Sequence, residues 1–239
     1  MVGPHAAADT PRPKLADLLE ELPLAGRTYR TSELAKAGRA ELLGLVDRNL
    51  KRLMVDPQDA VIRTPADVAD VIVTALAALL ADLKPGASRA AREALARAAY
   101  LVHLTGVRVK KDRTLRAALA GQLASAQGVK QKAVRRALLR SAKALQEVGR
   151  WLFPNALHRV EGAGSGGIWY TLRGRFLLRE GRSHAAAKAF SQALEKDRSV
   201  AAALNLFRAL LAGGKVADAR RVAAHILRAA PGKASRLDA

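Results

Sequence analysis

The side chains that could do chemistry in this chain are mostly basic, and they are unevenly distributed. The 239 residues include 41 Lys and Arg against 21 Asp and Glu, a formal net charge of +20. Residues 1–86 carry a net charge of −1, residues 87–161 carry +12 and residues 162–239 carry +9. Between Arg108 and Lys143, eleven basic residues face one acid, Asp112. Because such repulsion costs folding stability, the pattern indicates a polyanion that neutralises it, such as DNA, RNA or an anionic membrane.

A solvated, Arg-rich surface produced by a biased genome is the alternative explanation of this charge. Such a bias would also have made residues 1–86 basic, and they are close to neutral. A binding function for the charge is therefore the better interpretation.

Patterns typical of catalysis or metal binding do not occur. The chain has no cysteine, which excludes disulfides, cysteine-ligated zinc and a thiol nucleophile. There is no serine nucleophile elbow, and the glycine-rich residues 162–167 are not followed by the Gly-Lys-Ser/Thr of a phosphate-binding loop. His158 stands at helical spacing from Glu161 and His184 from Glu180, and two ligands are too few to indicate a metal site. We expect a protein that is not an enzyme and that uses no cofactor or metal. The five histidines are His5, His103, His158, His184 and His225.

Composition indicates that helices position the basic residues. Half of the chain is apolar while aromatic residues make up 4%, and Ala and Leu dominate, which favours helices with small buried residues and excludes an all-β fold. The longest apolar run, Val71 to Ala81, is shorter than the roughly 20 residues of a membrane-spanning helix. The N-terminus has no pattern typical of a secretory signal. We expect a cytoplasmic, nucleoid-associated protein that does not bind membranes.

Turn-forming residues and the distribution of charge divide this mainly α chain into four expected parts. The turn at Lys84 to Gly86 coincides with the change from neutral to basic composition. We expect a disordered tail in residues 1–13, a helical regulatory or oligomerisation region in 14–86, a basic domain in 87–168 and helical repeats in 169–239.

Two local patterns inside the basic domain predict how it starts. We expect Gly106 to stop a helix that begins at Ser88. The alternation of valine with basic residues from Val107 to Lys111 favours a short extended piece. A new helix is then expected from Asp112 or Thr114.

Residues 123–134 resemble the helix-turn-helix motif of DNA-binding proteins. Ala124 is small where two helices would cross, Gly128 suits the positive φ of a tight turn, and Val129 and Val134 are expected to plug the shared core. The resemblance implies that the second helix presents its exposed residues to the major groove. A plain hairpin of Ala-rich helices is the alternative, and the charge argument holds for either.

The candidate nucleic-acid-binding residues follow from this reading. Glutamine can pair with adenine, arginine with guanine, and lysine can hold phosphates. The candidates are Lys110, Lys111, Arg113, Lys130, Gln131, Lys132, Arg135, Arg136, Arg140, Lys143 and Arg159.

The segments that follow favour a small β-hairpin. Residues 157–161 and 168–172 are strand-like, and glycine-rich residues 162–167 separate them. A hairpin directly after a recognition helix resembles the wing of a winged helix. A flexible glycine linker is the alternative.

The C-terminal region repeats with a period of 33 residues, so that Gly181 aligns with Gly214. Residues 170–233 resemble the tetratricopeptide repeat, a pair of helices of about 34 residues. The second copy departs from the family at Phe207, where a small residue is usual, and at Ala223, where an aromatic is usual. In the first copy the family positions are Tyr170, Gly174, Leu177, Gly181, Ala186, Phe190 and Ala193.

The repeat resemblance implies a surface for a protein partner or for a second copy of the chain. We expect that surface to include Arg173, Arg179, Arg182 and Lys188. The arrangement resembles that of bacterial transcription regulators, and the leading prediction is a duplex-DNA-binding regulator or nucleoid-associated factor. An RNA-binding or ribosome-associated factor, or a scaffold for an acidic protein, remains the alternative.

Overall fold

The computed structural model describes residues 31–54, 60–86, 88–161 and 166–229, which are almost entirely helical and contain no strand. This confirms the mainly α expectation. The predicted tail, residues 1–13, lies outside the described residues. The ten described helices are α1 (Thr31–Lys36), α2 (Arg39–Leu53), α3 (Pro65–Leu83), α4 (Arg89–Lys111), α5 (Arg113–Gln127), α6 (Gln131–Glu161), α7 (Gly167–Arg179), α8 (Ser183–Asp197), α9 (Val200–Ala212) and α10 (Val216–Ala229).

The described residues form two compact units, the first ending at Phe153 and the second beginning at Pro154. The turn at Lys84 to Gly86 lies inside the first unit, since the helices on either side of it, α3 and α4, pack together. Arg39 of α2 donates hydrogen bonds to the carbonyls of Lys84 and Pro85, at 2.7 and 2.6 Å. The change of charge near this turn therefore occurs within one packed unit.

Helices α3 and α4 form the centre of the first unit. Thr64 caps α3 by accepting a hydrogen bond from the backbone N–H of Asp67, and Pro65 occupies the first helical position. Most of α3 from Asp67 to Ala78 is buried, and α4 is buried on all sides from Ala98 to Gly106. Helix α2 packs on both with the apolar side that includes Leu42 and Val46.

Two of the acids buried on α3 are paired with Arg52 of α2. Its guanidinium binds Asp67, with 2.5 Å between Nη1 and Oδ1, and also binds Asp70. The other oxygen of Asp67 accepts the N–H groups of Arg63 and Thr64, at 2.9 and 2.8 Å. Burial raises the pKa of Asp67, but these hydrogen bonds, led by that of Arg52, outweigh burial and lower the pKa below its ordinary value.

Helices α4 and α6 approach each other closely at two glycines. A β-carbon on Gly106 of α4 would lie 2.5 Å from the backbone nitrogen of Gln146. One on Gly149 of α6 would lie 2.5 Å from the β-carbon of His103. Because increasing numbers on α4 meet decreasing numbers on α6, the two helices are antiparallel in this contact.

The predictions for this segment of α4 were wrong. Gly106 does not stop the helix, and the expected extended piece from Val107 to Lys111 is its last part. Gly106 permits the close approach to α6 and stays within the helical hydrogen-bond pattern. The helix ends at Asp112, whose side chain accepts the N–H of Leu115 and so caps α5.

The predicted wing was also wrong, because both expected strands are helical. Residues 157–161 are the last part of α6 and residues 168–172 lie in α7. Leu157 and Val160 are buried, and so are Trp169 and Leu172, each pair at the three-residue spacing of a helix face. Five residues are too few to distinguish a period of 2 from one of 3.6. Residues 162–165 of the glycine-rich segment lie outside the described residues.

The second unit contains helices α7 to α10, and each packs on the next in the chain. Gly181 and Gly214 turn the chain between the helices of each pair, with φ of 76° and 72°. Gly174 of α7 makes room for the ring of Phe190, since a β-carbon there would lie 2.6 Å from it. In the second pair of helices, Phe207 of α9 is equivalent to Gly174 and Ala223 of α10 is equivalent to Phe190. The large and the small residue are therefore exchanged.

Candidate nucleic-acid interface

The turn between α5 and α6 is formed by Gly128, with φ of 64° and ψ of 24°. The carbonyl of Ala124 accepts the N–H groups of Gly128 and Val129, the latter at 3.2 Å. Val134 is buried, as expected of a core residue. Val129 is 46% exposed, so the expectation that it plugs the core was wrong. It directly follows Gly128 in the turn, outside the bounds of both α5 and α6.

Helix α6 presents basic residues along its exposed side. Lys132, Arg136, Lys143 and Arg150 are all exposed. At 3.6 residues per turn their intervals of four, seven and seven keep them within an arc of about 40°, over roughly 27 Å of helix. Arg135 and Arg140 are exposed on the two flanks of this arc. The basic face of α6 comprises Lys132, Arg135, Arg136, Arg140, Lys143 and Arg150.

The opposite side of α6 holds the basic face in a fixed orientation. Leu138, Ala142 and Leu145 are buried there, together with Gly149 at the contact with α4. Because the helix is anchored along its length in the first unit, the basic side chains share one rigid backbone.

One acid interrupts this side of α6. Glu147 lies 3.9 Å from Lys143 in an exposed pair of the i,i+4 type. Exposed pairs of this type contribute only about 0.3–0.5 kcal/mol. The pair is therefore too weak to keep Lys143 from a phosphate group.

Lys110 joins the basic face from the end of α4. Its Nζ donates a hydrogen bond to Oε1 of Gln146 on α6, at 3.3 Å. Arg116 of α5 donates to the carbonyls of Val109 and Lys110, at 2.7 and 2.6 Å, and so holds this helix end. Lys111, the last residue of α4, and Arg113, the first residue of α5, are both exposed.

Other basic or candidate residues have different surroundings. Gln131, the candidate reader of adenine, donates its amide to the carbonyl of Ala117 on α5, at 3.3 Å. Lys130 is exposed at the turn, and Arg159 is exposed on the part of α6 that belongs to the second unit. The guanidinium of Arg108, part of the dense charge cluster, donates to the carbonyl of Ala60.

Sequence reasoning missed two residues of this surface. Arg150 continues the interval of seven that separates Arg136 from Lys143, so the spacing contained a signal for it. Leu139 lies among the basic residues and is 44% exposed. Nothing in its residue type distinguishes it from the buried leucines of the same helix.

The candidate partner-binding residues of the second unit lie on its first two helices. Arg173 and Arg179 are on α7, Arg182 precedes α8, and Lys188 is on α8. Arg179 is partly buried, and the other three are exposed. Two of the four candidates therefore share α7, and the other two lie at the start of α8 and within it.

The described residues contain no group of three histidine, cysteine or acidic side chains that could hold a metal ion. Within the same ranges, no helix combines the length and the apolar character needed to cross a membrane. Comparison of the chain with protein-family models, with curated proteins and with solved structures finds no match.

Proposed function

We propose that this protein binds duplex DNA, through contacts of the basic face and Lys110 with the phosphate backbone, and that it is not an enzyme. The observation that supports the proposal is the alignment of Lys132, Arg136, Lys143 and Arg150 along one side of α6. A stripe of cations on a rigid helix is an electrostatic footprint for phosphates.

Duplex DNA suits this surface better than a single strand. The major groove of B-form DNA, about 12 Å wide, admits an α-helix. Proteins that bind single strands stack the bases on exposed aromatic rings. Among the described residues, Trp151 is the one aromatic side chain with more than a third of its surface exposed. Duplex RNA suits the surface less well, because side chains cannot read its deep, narrow major groove.

The resemblance to a helix-turn-helix supports a role for α6 as the DNA-binding helix. In this proposal the middle of α6 contacts DNA, because Gln131 at its start already bonds to Ala117. The role would be that of a bacterial transcription regulator or nucleoid-associated factor in the cytoplasm.

For the second unit we propose association with a protein partner or with a second copy of the chain. The resemblance to tetratricopeptide repeats supports this role, as do the paired helices α7 to α10 with glycine turns at Gly181 and Gly214. Arg173, Arg182 and Lys188 would favour an acidic surface on that partner.

A salt titration of DNA binding tests the proposal. If Lys110 and the six residues of the basic face each neutralise one phosphate, log K against log salt has a slope of about −6.3. Replacing Arg136 and Lys143 with glutamine leaves five contacts and a slope of about −4.5.

The matched control replaces Arg48 and Lys51 with glutamine, since both are exposed on α2. It removes the same charge and should keep the slope of the unmodified protein. A slope near zero, or equal losses in the two variants, would refute the proposal. Tighter binding of duplex RNA than of duplex DNA would refute the choice of DNA.

A further inference from the structure

Leu139 stands out on the exposed side of α6, because it lies in the middle of the basic face. It is 44% exposed, while the other leucines of this helix in the first unit are buried. Single exposed apolar residues are common on protein surfaces. The position of Leu139 among cations is what needs a physical explanation.

The charges around Leu139 form two rows. Arg136, three residues earlier, and Lys143, four residues later, lie to one side of it around the helix. Arg135, four residues earlier, and Gln146, seven residues later, lie to the other side, where Gln146 accepts the hydrogen bond of Lys110. Leu139 is therefore a single apolar side chain between Arg136 and Lys143 on one side and Arg135 and Lys110 on the other.

This arrangement matches the chemistry of the major groove. A phosphate backbone runs along each edge of the groove, and cations on two sides of a helix can bind both edges. The apolar group on the floor of the groove is the C5-methyl of thymine. A leucine held between two rows of phosphate contacts would reach that floor.

We propose that Leu139 contacts thymine methyl groups, so that the protein prefers A·T-containing duplex DNA. The proposal rests on the proposed function and adds a base-contacting residue to it. Thymine methyl groups are absent from RNA, where uracil replaces thymine, so the same contact selects DNA.

The test compares two duplexes of one A·T-rich sequence, the second with deoxyuridine in place of every thymidine. The substitution removes the methyl groups and leaves the phosphates and the base pairs. Losing one buried methyl contact weakens binding by about fourfold. We expect at least this ratio of dissociation constants for the unmodified protein, measured by fluorescence anisotropy at one salt concentration.

Leu139→Ala should bind the two duplexes equally and keep the salt slope of the unmodified protein. The control is Leu83→Ala on α3, which removes an apolar side chain that is 67% exposed and should keep the preference. Circular dichroism verifies that both variants fold, as expected of substitutions at exposed positions.

A G·C duplex with 5-methylcytosine places a methyl group in the major groove without any A·T pair. The unmodified protein should bind it more tightly than the unmethylated G·C duplex, and Leu139→Ala should not. Equal binding of thymidine and deoxyuridine duplexes by the unmodified protein would overturn the role of Leu139, as would a preference that Leu139→Ala retains. If either result is found together with a steep salt slope, the proposed DNA binding still holds and only the role of Leu139 is refuted. A flat salt slope would refute both DNA binding and the role of Leu139.

Discussion

Substitution of Gly106 by alanine should destabilise the first unit, although alanine is the better helix former. A β-carbon at this position would lie 2.5 Å from the backbone nitrogen and 2.9 Å from the α-carbon of Gln146, and 2.8 Å from the carbonyl oxygen of Ala142. The shortest of these is roughly 1 Å below ordinary van der Waals contact. Because all three atoms are backbone atoms, α4 and α6 would have to move apart.

The size of the effect follows from two opposing terms. Overpacking a buried contact costs about 1–3 kcal/mol, and the upper end applies where no flexible side chain can yield. Alanine gains about 1 kcal/mol over glycine inside a helix. We expect the free energy of unfolding to fall by about 2 kcal/mol. Separation of α4 from α6 would also loosen the contact between Tyr100 and Phe153, whose ring centroids are 5.2 Å apart.

Urea denaturation followed by circular dichroism measures this difference. The matched control is Gly44→Ala in the middle of α2, where the nearest atom to a β-carbon is a side-chain nitrogen of Arg48 at 3.5 Å. It should raise the free energy of unfolding by about 0.5–1 kcal/mol. If Gly106→Ala is as stable as the unmodified protein, or gains stability like the control, the result would contradict the close approach of α4 and α6.

Three further predictions concern single residues. Gly174→Ala should lower the stability of the second unit by about 1–3 kcal/mol, because its β-carbon would lie 2.6 Å from the ring of Phe190. In a double-mutant cycle, Phe190→Leu should recover part of this loss. Independent effects of the two substitutions would contradict the contact. Arg198 has φ of 44°, in the left-handed region where a side chain is strained. Arg198→Gly should therefore raise the urea midpoint by the equivalent of about 1 kcal/mol. A lower midpoint would show that the Arg198 side chain contributes more stability than the strain costs. Asp67 has a lowered pKa in the folded protein, so its contribution to stability is complete above the unfolded value of about 3.9 and is lost as the pH falls through the lower folded value. Asp67→Asn should therefore reduce the loss of stability with acid, measured by urea titrations at pH 2 to 5. An unchanged acid profile would contradict this prediction.

Periodicity in the sequence was sufficient to predict helices where one apolar face repeats over several turns. The start of α3 is encoded locally, because Thr64 is a good N-cap residue and Pro65 suits the first helical position. Predictions from five residues were wrong at 157–161 and 168–172. Their burial pattern belongs to longer helices, and no local feature distinguishes it from alternation.

Glycine was interpreted correctly at one turn and wrongly at a helix contact. Gly128 has the predicted positive φ, and the aligned Gly181 and Gly214 have positive φ as well. Gly106 resembles a helix stop in sequence, yet its role is to let a second backbone approach. That second backbone is about 40 residues away in the chain, so no local rule can include it.

The sequence by itself determined that the protein is mainly helical, that its charge is concentrated after residue 86, and that Arg136 and Lys143 share a side of one helix. These features depend on composition and on spacing within one segment. Only the tertiary structure decided that Lys110 lies beside Gln146 and that Leu139 remains exposed between the charges. The physical reason is that exposure and proximity depend on the packing of α6 against α4, which joins residues distant in the chain.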